Sequence, residues 1–284
     1  MLRIALPNKG RLAEEVRELF NDAGLEVRVR GERALTASLG GEFESIFVRA
    51  QDIPEFVADG AADAGVTGWD LVCESGRELE QLMDLEFGKC RLVVAAREES
   101  GISGLEDIKD GVRVASAFPR LTQEFFTKRG QRITVVPMSG ATEIAPHLGI
   151  ADIIVDLTST GSTLKMNNLR EVGLVVQSSA RLMARKGHAP EAAVKLTELT
   201  QALGSVLAAR GKRYLMANVP RTALASVREV LPGLNGPTVV DILNGSHVAV
   251  HAVVPAKTIY RTISALKALG CEGILVTRIE RLMP

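Results

Sequence analysis

The sequence predicts an α/β fold of two lobes, followed by a small α+β domain at the C-terminus. Short apolar strands alternate with amphipathic helices from the N-terminus onward, a pattern typical of largely parallel sheets. The chain then returns to its first lobe by a second crossing, over residues 173–182. We therefore expect lobe I to comprise residues 1–89 and 174–208, lobe II residues 90–173, and the C-terminal domain residues 212–284.

The strands of lobe I are predicted from short apolar runs, and its first helix from the spacing of Leu12, Val16 and Leu19 on one face. Lobe II repeats the alternation, and two crossings between lobes are typical of a hinged pair that binds a small molecule in its cleft. The strands of lobe II are expected over residues 91–96, 112–116, 133–136 and 150–155, and its helices over residues 104–108, 121–129 and 141–148.

The C-terminal segment has an order of its own, β-α-β-β-α-β over residues 214–279, which is the ferredoxin-like arrangement. Its two middle strands flank Asn244-Gly245, a strong hairpin-turn signal. A small α+β domain of this kind can host a regulator or a dimer contact, although the fold alone proves neither.

The bulk composition excludes several classes of protein. The 34 basic residues equal the 34 acidic ones, which argues against a general nucleic-acid or acidic-membrane binder. The three cysteines are scattered, so neither a disulfide framework nor a zinc site is expected. The N-terminal apolar run is too short for a signal peptide, and no run is long enough to span a membrane. We expect a cytoplasmic protein.

The most informative segment is the loop that follows the apolar run 150–155. Six consecutive residues, Thr158 to Thr163, are Thr, Ser or Gly. Backbone N–H groups and hydroxyls suit a phosphate, and Gly161 allows a positive φ. Asp156 adds a carboxylate for ribose hydroxyls or Mg²⁺. These residues alone fit a polar turn between strand and helix equally well.

Five segments together resemble a known family. Residues 7–12, 67–71, the loop 156–164, and residues 214–216 with 236–238 form an ordered set that looks like the long form of ATP phosphoribosyltransferase, over the whole chain. The resemblance implies transfer of phosphoribosyl from phosphoribosyl pyrophosphate (PRPP) to N1 of ATP, with release of pyrophosphate, in the first step of histidine biosynthesis. It also implies catalytic lobes of the periplasmic-binding-protein type II class.

The resemblance further implies the roles of individual residues. No side chain stands out as a firm catalytic group, because positioning and electrostatics suffice for this reaction. For PRPP, it points to Asp156, Thr158, Ser159, Thr160, Gly161, Ser162 and Thr163. For ATP, it points to Lys9, Gly10, Arg49, Asp70 and Phe118, the last standing where relatives often carry Tyr. Mg²⁺ is expected to bind mainly through the substrate, with Asp156 as its protein ligand.

The resemblance also implies inhibition by L-histidine at Asn218 and Thr238, and an oligomer that ranges from dimer to hexamer. Asn218 departs from a family pattern that can carry Asp, which removes a charge partner for the histidine amino group. Asp152 and Glu143 are weaker candidates for the substrate site: an exposed strand-start carboxylate and a first-turn helix carboxylate explain them as well.

Two other functions remain open from the sequence. Two hinged lobes also describe solute-binding modules, although neither an export signal nor a DNA-binding helix-turn-helix is visible. A catalytically weak subunit that needs an accessory protein fits a chain without its own C-terminal domain better. Pyrophosphate release would distinguish an enzyme from either.

Overall fold

The computed structural model describes residues 1–29, 35–243 and 245–283. The chain divides into two compact units, Met1–Thr197 and Glu198–Pro284. In the described part of the chain, no helix is both long enough and apolar enough to cross a membrane.

Within its described residues, the first unit holds twelve strands and most of the helices. Its strands are β1 (Leu2–Pro7), β2 (Val27–Val29), β3 (Thr36–Leu39), β4 (Phe43–Val48), β5 (Ala64–Gly68), β6 (Leu79–Asp84), β7 (Cys90–Arg97), β8 (Val112–Ser116), β9 (Ile133–Pro137), β10 (Ile153–Thr158), β11 (Leu169–Ser178) and β12 (Ala180–Arg185). The helices are α1 (Arg11–Asp22), α2 (Ile53–Ala58), α3 (Trp69–Ser75), α4 (Pro119–Lys128), α5 (Ser162–Met166) and α6 (Pro190–Ala209), which extends into the second unit.

A seven-stranded sheet forms lobe I, in the order β2-β3-β4-β1-β5-β12-β6. Strand β1 runs parallel to both β4 and β5 at the centre. Ile4, Ala5 and Leu6 are all buried, as expected for a parallel strand covered on both faces. The carboxyl ends of β1, β4 and β5 therefore meet at one edge of the sheet, where α/β proteins bind their ligands.

A five-stranded sheet forms lobe II, in the order β11-β7-β10-β8-β9. Strand β10 lies in the middle, antiparallel to β7 and parallel to β8. Ile153, Ile154 and Val155 are fully buried, because successive residues of the strand face opposite sides of the sheet and each side is covered by its own apolar cluster. The carboxyl end of β10 thus lies beside the carboxyl ends of β8 and β9.

Three elements of the first unit differ from the sequence prediction. The helix expected over residues 104–108 is only a 3₁₀ turn, Leu105–Asp107. The single strand expected over residues 173–182 is in fact two strands linked by Ser179. Strand β11 pairs within lobe II, and β12 pairs within lobe I. Residues 174–178, expected in lobe I, therefore pair in the sheet of lobe II. The run contains no proline, and β11 carries two register shifts before it ends at Ser178.

The prediction of a helix over residues 141–148 is also wrong. A short 3₁₀ turn, Thr142–Ile144, stands there instead. Ala141 has a positive φ of 52°, and Pro146 cannot donate a backbone hydrogen bond to a continuing helix. The turn still brings Glu143 close to the carboxyl end of β10.

The second unit has the order of a ferredoxin-like domain. Its elements are β13 (Lys212–Pro220), α7 (Leu224–Val230), β14 (Thr238–Asp241), β15 (His247–Pro255), α8 (Ile259–Ala268) and β16 (Glu272–Arg278). The strands form an antiparallel sheet in the order β14-β15-β13-β16. Asn244 of the predicted hairpin turn lies outside the described residues. The predicted fold class, two α/β lobes and a ferredoxin-like α+β domain, is confirmed.

Candidate active site

The carboxyl edge of the lobe I sheet gathers three of the residues expected to contact ATP. Lys9 follows β1, Arg49 follows β4, and Asp70 lies two residues after β5. The loops are tied together, because the Asn8 N–H donates to the Val48 carbonyl and the Thr67 hydroxyl donates to the Ala50 carbonyl at 2.7 Å. Lys9 and Arg49 are exposed, as is Gly10 with a φ of 81°. The sheet thus places two cations at one edge.

The carboxyl edge of the lobe II sheet is organised by Ser116. Its hydroxyl donates to the Val155 carbonyl at 2.7 Å and accepts the Phe118 N–H at 2.9 Å. Strand β8 is thereby fixed to β10, and Phe118 is turned into the apolar core of lobe II, where it is 6% exposed. A packing role for Phe118 is therefore evident; contact with ATP stays a prediction.

The loop after β10 is braced by its own side chains. The Thr158 hydroxyl is buried and accepts the Gly161 N–H at 2.9 Å. The hydroxyls of Thr160 and Ser162 lie 2.9 Å apart. Gly161 has a φ of 78°, in the left-handed region, and a Cβ added there would meet nothing within 4 Å. Ser159, Thr160, Ser162 and Thr163 are exposed, so the loop presents its hydroxyls to open space.

Two carboxylates lie close together beside this loop. Asp156 is half-buried and its Oδ1 accepts the Leu157 N–H at 2.7 Å. Burial raises the pKa of Asp156, the Leu157 N–H opposes that shift, and the charge of Glu143 adds to it. The repulsion between two such carboxylates is reduced by a bound cation or by hydroxyl donors such as those of ribose. Among the described residues, no cluster of three or more metal-ligating side chains exists.

Asp152, the weaker candidate, lies at the other end of β10. Its Oδ1 accepts from Arg113 Nη2 at 2.9 Å, and its Oδ2 accepts the Arg113 N–H at 2.9 Å. These bonds lower the pKa of Asp152. Asp152 lies four residues before Asp156, about 13 Å away at the usual rise of a strand, so the two carboxylates are at opposite ends of β10.

Asp70 is 5% exposed and is hydrogen-bonded to Ser178, the last residue of β11, next to the crossing between the lobes. The Ser178 hydroxyl donates to Asp70 Oδ1 and accepts the Asp70 N–H at 3.0 Å. Burial raises the pKa of Asp70 in spite of these hydrogen bonds, which lower it. The helix α3 begins at Trp69, so Asp70 lies in its first turn and is not its N-cap.

The raised pKa of Asp70 has a measurable consequence. Because the folded protein holds this proton more tightly than the unfolded chain, ionisation costs stability, and the cost grows as pH rises through the folded pKa. We expect Asp70→Asn to melt at a higher temperature than the parent at neutral pH, with the difference vanishing at about pH 4. Asp152→Asn is a control for which we expect the opposite result. The pKa of Asp152 is lowered, so the ionised carboxylate stabilises the fold at neutral pH, and this variant should melt at a lower temperature than the parent there. Thermal unfolding across pH checks both, and a stabilised Asp152→Asn or a destabilised Asp70→Asn at neutral pH would contradict the assignment.

A cavity of about 440 Å³ lies where the two crossings join the lobes. One crossing runs from β6 to β7 and the other is Ser179, between β11 and β12. Because Thr158 pairs with Arg91 and Ser178 pairs with Cys90, the loop after β10 opens onto this cavity, and Ser159 lines it. The described lining does not include the residues expected to bind ATP. The cavity wall is charged, with Lys89, Arg91, Arg181 and Asp84.

A second contact between the lobes lies at the start of α4. The two carboxylate oxygens of Glu74, at the end of α3, accept the backbone N–H groups of Arg120 and Leu121, both at 2.9 Å. Leu71 of the same helix packs against the apolar cluster of lobe II around Phe126. The lobes are thus held by a specific contact in addition to their two crossings.

In the second unit, the residues expected to bind histidine lie on the sheet face opposite its apolar core. Thr238 pairs with His251, which pairs with Met216, and Asn218 is two residues along β13. Asn218 and Thr238 are both exposed. The Tyr214 hydroxyl lies 2.9 Å from His251 Nδ1 in the same region.

Sequence reasoning missed three residues of the first unit. Glu74, Arg91 and Ser178 act over separations of 46 to 108 residues, through contacts that no local pattern announces. The only available signal for Arg91 was its position at the start of a strand that follows the first crossing.

Comparison with known proteins agrees with this architecture. A family described as ATP phosphoribosyltransferase matches residues 49–205, and one described as HisG, C-terminal domain matches residues 209–281. The ATP phosphoribosyltransferase of Gemmatimonas aurantiaca is 68% identical over 293 residues and covers both chains fully. That of Haloarcula marismortui is 51% identical over 99% of this chain and 100% of its own. In a solved ATP phosphoribosyl transferase (HisG:HisZ) complex from Thermotoga maritima, one chain matches with a TM-score of 0.64 at 28% identity, over 72% of this chain and 97% of that chain.

Proposed function

The chain belongs to the ATP phosphoribosyltransferase family, in its long form, and from this premise we propose how its residues divide the two substrates. The protein is an enzyme of the first step of histidine biosynthesis, a transferase that uses ATP and PRPP. Its two α/β sheets have the periplasmic-binding-protein type of fold, so the binding-module alternative describes the architecture but not the activity.

The loop of residues 158–163 binds the 5′-phosphate of PRPP in this proposal. The observation that carries it is the exposed row of hydroxyls at the carboxyl edge of a buried central strand, braced by Thr158 and turned by Gly161. Anions are bound at such edges by backbone and hydroxyl donors. Asp156 and Glu143 would then lie beside the ribose of the same molecule.

Lys9, Gly10, Arg49 and Asp70 form the ATP side of the cleft in this proposal, and Phe118, packed in the core of lobe II, supports the facing edge. The two exposed cations Lys9 and Arg49 suit a triphosphate. Transfer then needs N1 of adenine and C1 of ribose to meet between the two sheet edges. Holding both substrates in that geometry is the main contribution that these residues make.

The residues present fit Mg²⁺ bound chiefly through PRPP. Magnesium usually keeps several waters and takes one or two protein carboxylates together with substrate phosphates, and Asp156 and Glu143 supply such a pair. When bound, Mg²⁺ would neutralise charge on the phosphate groups. The protein's own part is to hold the two carboxylates half-buried at the end of β10, where the substrate ribose would lie.

We also propose that L-histidine inhibits through the face of the second unit that carries Asn218 and Thr238, and that the protein assembles as a dimer and a hexamer. Exposed apolar side chains on the edge strands, Val240 at 49% and Leu275 at 59%, support self-association of this unit. All three cysteines are free, which fits a reducing cytoplasm.

The decisive experiment is pyrophosphate release by the purified chain alone, with and without L-histidine. We expect release only when ATP, PRPP and Mg²⁺ are all present, and a lower rate in millimolar histidine.

Asn218→Asp restores a charge partner for the amino group of histidine and should increase sensitivity to histidine, without changing the rate of pyrophosphate release in its absence. No release by a folded sample would contradict the function, and a need for an added partner protein would favour the accessory-subunit alternative. Unchanged kinetics across histidine concentrations would refute the effector assignment alone.

A further inference from the structure

A second cavity, of about 430 Å³, lies between helices α3 and α4, and its described lining includes no residue that is expected to bind a substrate. Its wall is formed along α3 by Trp69, Val72, Cys73 and Gly76, and along α4 by Leu121, Glu124 and Lys128. These residues recur every three or four positions, so each set lies on one face of its helix. Because α3 belongs to lobe I and α4 to lobe II, both lobes contribute to this cavity, which we call the α3–α4 groove.

The α3–α4 groove extends to the edge of the lobe I sheet that lies opposite the substrate edge. Strand β12 runs antiparallel to β5, with Ala184 beside Ala64 at the amino end of β5. Leu79 lines the groove and pairs with Arg185, the next residue of β12. The groove therefore reaches the far side of the sheet from the carboxyl ends of β1, β4 and β5.

The inner surface of the groove is apolar. Val72 is 4% exposed, and Leu79 and Leu121 are half-buried. The Trp69 ring is covered on one face by the Arg181 guanidinium, whose Cζ lies 4.2 Å from the ring centroid, and the rest of the ring lines the groove. A concave surface of aromatic and aliphatic side chains is typical of sites for small organic molecules.

The rim of the groove carries one cation that has no partner. The other charged lining residues are paired, Lys186 with Glu78 at 3.1 Å, Arg77 with Glu55 at 2.6 Å, and Glu124 with Arg120 at 2.8 Å. Lys128 is exposed, lies one turn beyond Glu124 on α4, and makes no hydrogen bond or ion pair within the described part of the chain. Its ammonium group can therefore donate to an anion at the edge of the apolar surface.

We propose that the α3–α4 groove binds a small aromatic monoanion, such as an aromatic carboxylate, with its ring against Trp69 and Leu121 and its charged group at Lys128. The apolar wall would supply most of the binding free energy, and a charge-assisted hydrogen bond at Lys128 would fix the orientation. One unpaired cation suits a single negative charge, whereas ATP and PRPP each carry several. The site therefore goes beyond the proposed function, because it takes neither substrate.

An occupant of the groove would act on catalysis through the placement of the lobes. It would contact α3 and α4 together, close to the place where Glu74 already joins them. Products leave a cleft between hinged lobes when the lobes part, and a ligand bound to both lobes opposes that motion. We therefore expect the ligand to lower kcat without competing with ATP or PRPP.

The probe for this site is 3-phenylpropionate, and its neutral amide is the matched control ligand. Calorimetric titration of the full chain should show saturable binding of the probe, and Lys128→Met should raise its Kd by about tenfold or more, equal to about 1.4 kcal/mol. The amide should bind the parent about tenfold more weakly than the carboxylate and should lose little more in Lys128→Met. Lys109→Met, the same change at an exposed lysine of lobe II outside the groove, should alter the Kd of the probe by less than about twofold.

Fluorescence and kinetics then locate the bound probe. Trp69 is the only tryptophan of the chain, so its emission should change with the same Kd as calorimetry gives. In pyrophosphate release, saturating probe should lower kcat by about twofold or more and leave both KM values nearly unchanged.

Three results would overturn the proposal. They are the absence of saturable binding, a Kd that Lys128→Met leaves unchanged, and competition of the probe with ATP or PRPP, which would place it in the substrate cleft. The calorimetric and fluorescence results do not depend on turnover. A parent enzyme that releases no pyrophosphate would instead contradict the proposed function, so the two failures are distinguishable.

Discussion

Gly161→Val should raise the Kd for PRPP by about tenfold or more and change the Kd for ATP by less than about threefold. The native φ of 78° lies in the left-handed region, where a β-branched residue is strongly disfavoured, at a cost of about 1–2 kcal/mol or more. Relief of that strain would pull the Gly161 N–H away from the Thr158 hydroxyl and move the neighbouring hydroxyls. In addition, the new side chain would project into the open space where we place the phosphate.

Gly149→Val is the matched control for this experiment. Gly149 has a φ of 70° and equally open surroundings, but it precedes β10, at the edge of the sheet opposite the loop. It should lower the melting temperature by a similar amount and leave both substrates unaffected. Calorimetric titration of each substrate decides the matter: equal losses of PRPP and ATP affinity in Gly161→Val would mean that the loop is misassigned.

Glu74→Ala should both destabilise the first unit and lower kcat/KM by about tenfold. The carboxylate satisfies two backbone N–H groups at the start of α4, and such caps contribute about 1 kcal/mol, with a further contribution from the charge at a helix N-terminus. Because Glu74 belongs to lobe I and α4 to lobe II, its loss also loosens the relative placement of the two sheet edges between which the substrates meet.

Glu124→Ala provides the comparison for Glu74. Glu124 pairs with Arg120 at 2.8 Å, but within α4 and at the surface, where such a pair contributes about 0.3–0.5 kcal/mol. Chemical denaturation and steady-state kinetics on both variants separate a local cap from a contact between lobes. A Glu74→Ala enzyme with normal kcat/KM would show that this contact does not position the substrates.

The parts of this structure that sequence could predict are those with local signatures. The loop after β10 was visible because six small polar residues follow a continuous apolar run, and both patterns are short-range. Lys9, Arg49 and Asp70 were indicated by the family resemblance, and the structure brings them to one edge of a sheet because β1, β4 and β5 are parallel. Their assignment to ATP remains a prediction.

Other features depend on contacts between distant residues. Nothing near Glu74 indicates that it would cap a helix of the other lobe, and nothing near Ser178 indicates that it would bond to Asp70. The strand predicted over residues 173–182 failed for a related reason: Ser179 crosses between sheets without a glycine or proline at the crossing, because the partner strands on either side determine where each half pairs.

The hydrogen bonds inside the loop after β10 bear on the thermodynamics of binding. Thr158 holds Gly161, and Thr160 approaches Ser162, before any ligand arrives. Conformational entropy of this segment is therefore lost when the chain folds, and a phosphate entering later orders little more of the backbone. Binding to such a preorganised cradle is expected to keep most of its intrinsic affinity, and the segment has no need of a separate closing motion to form.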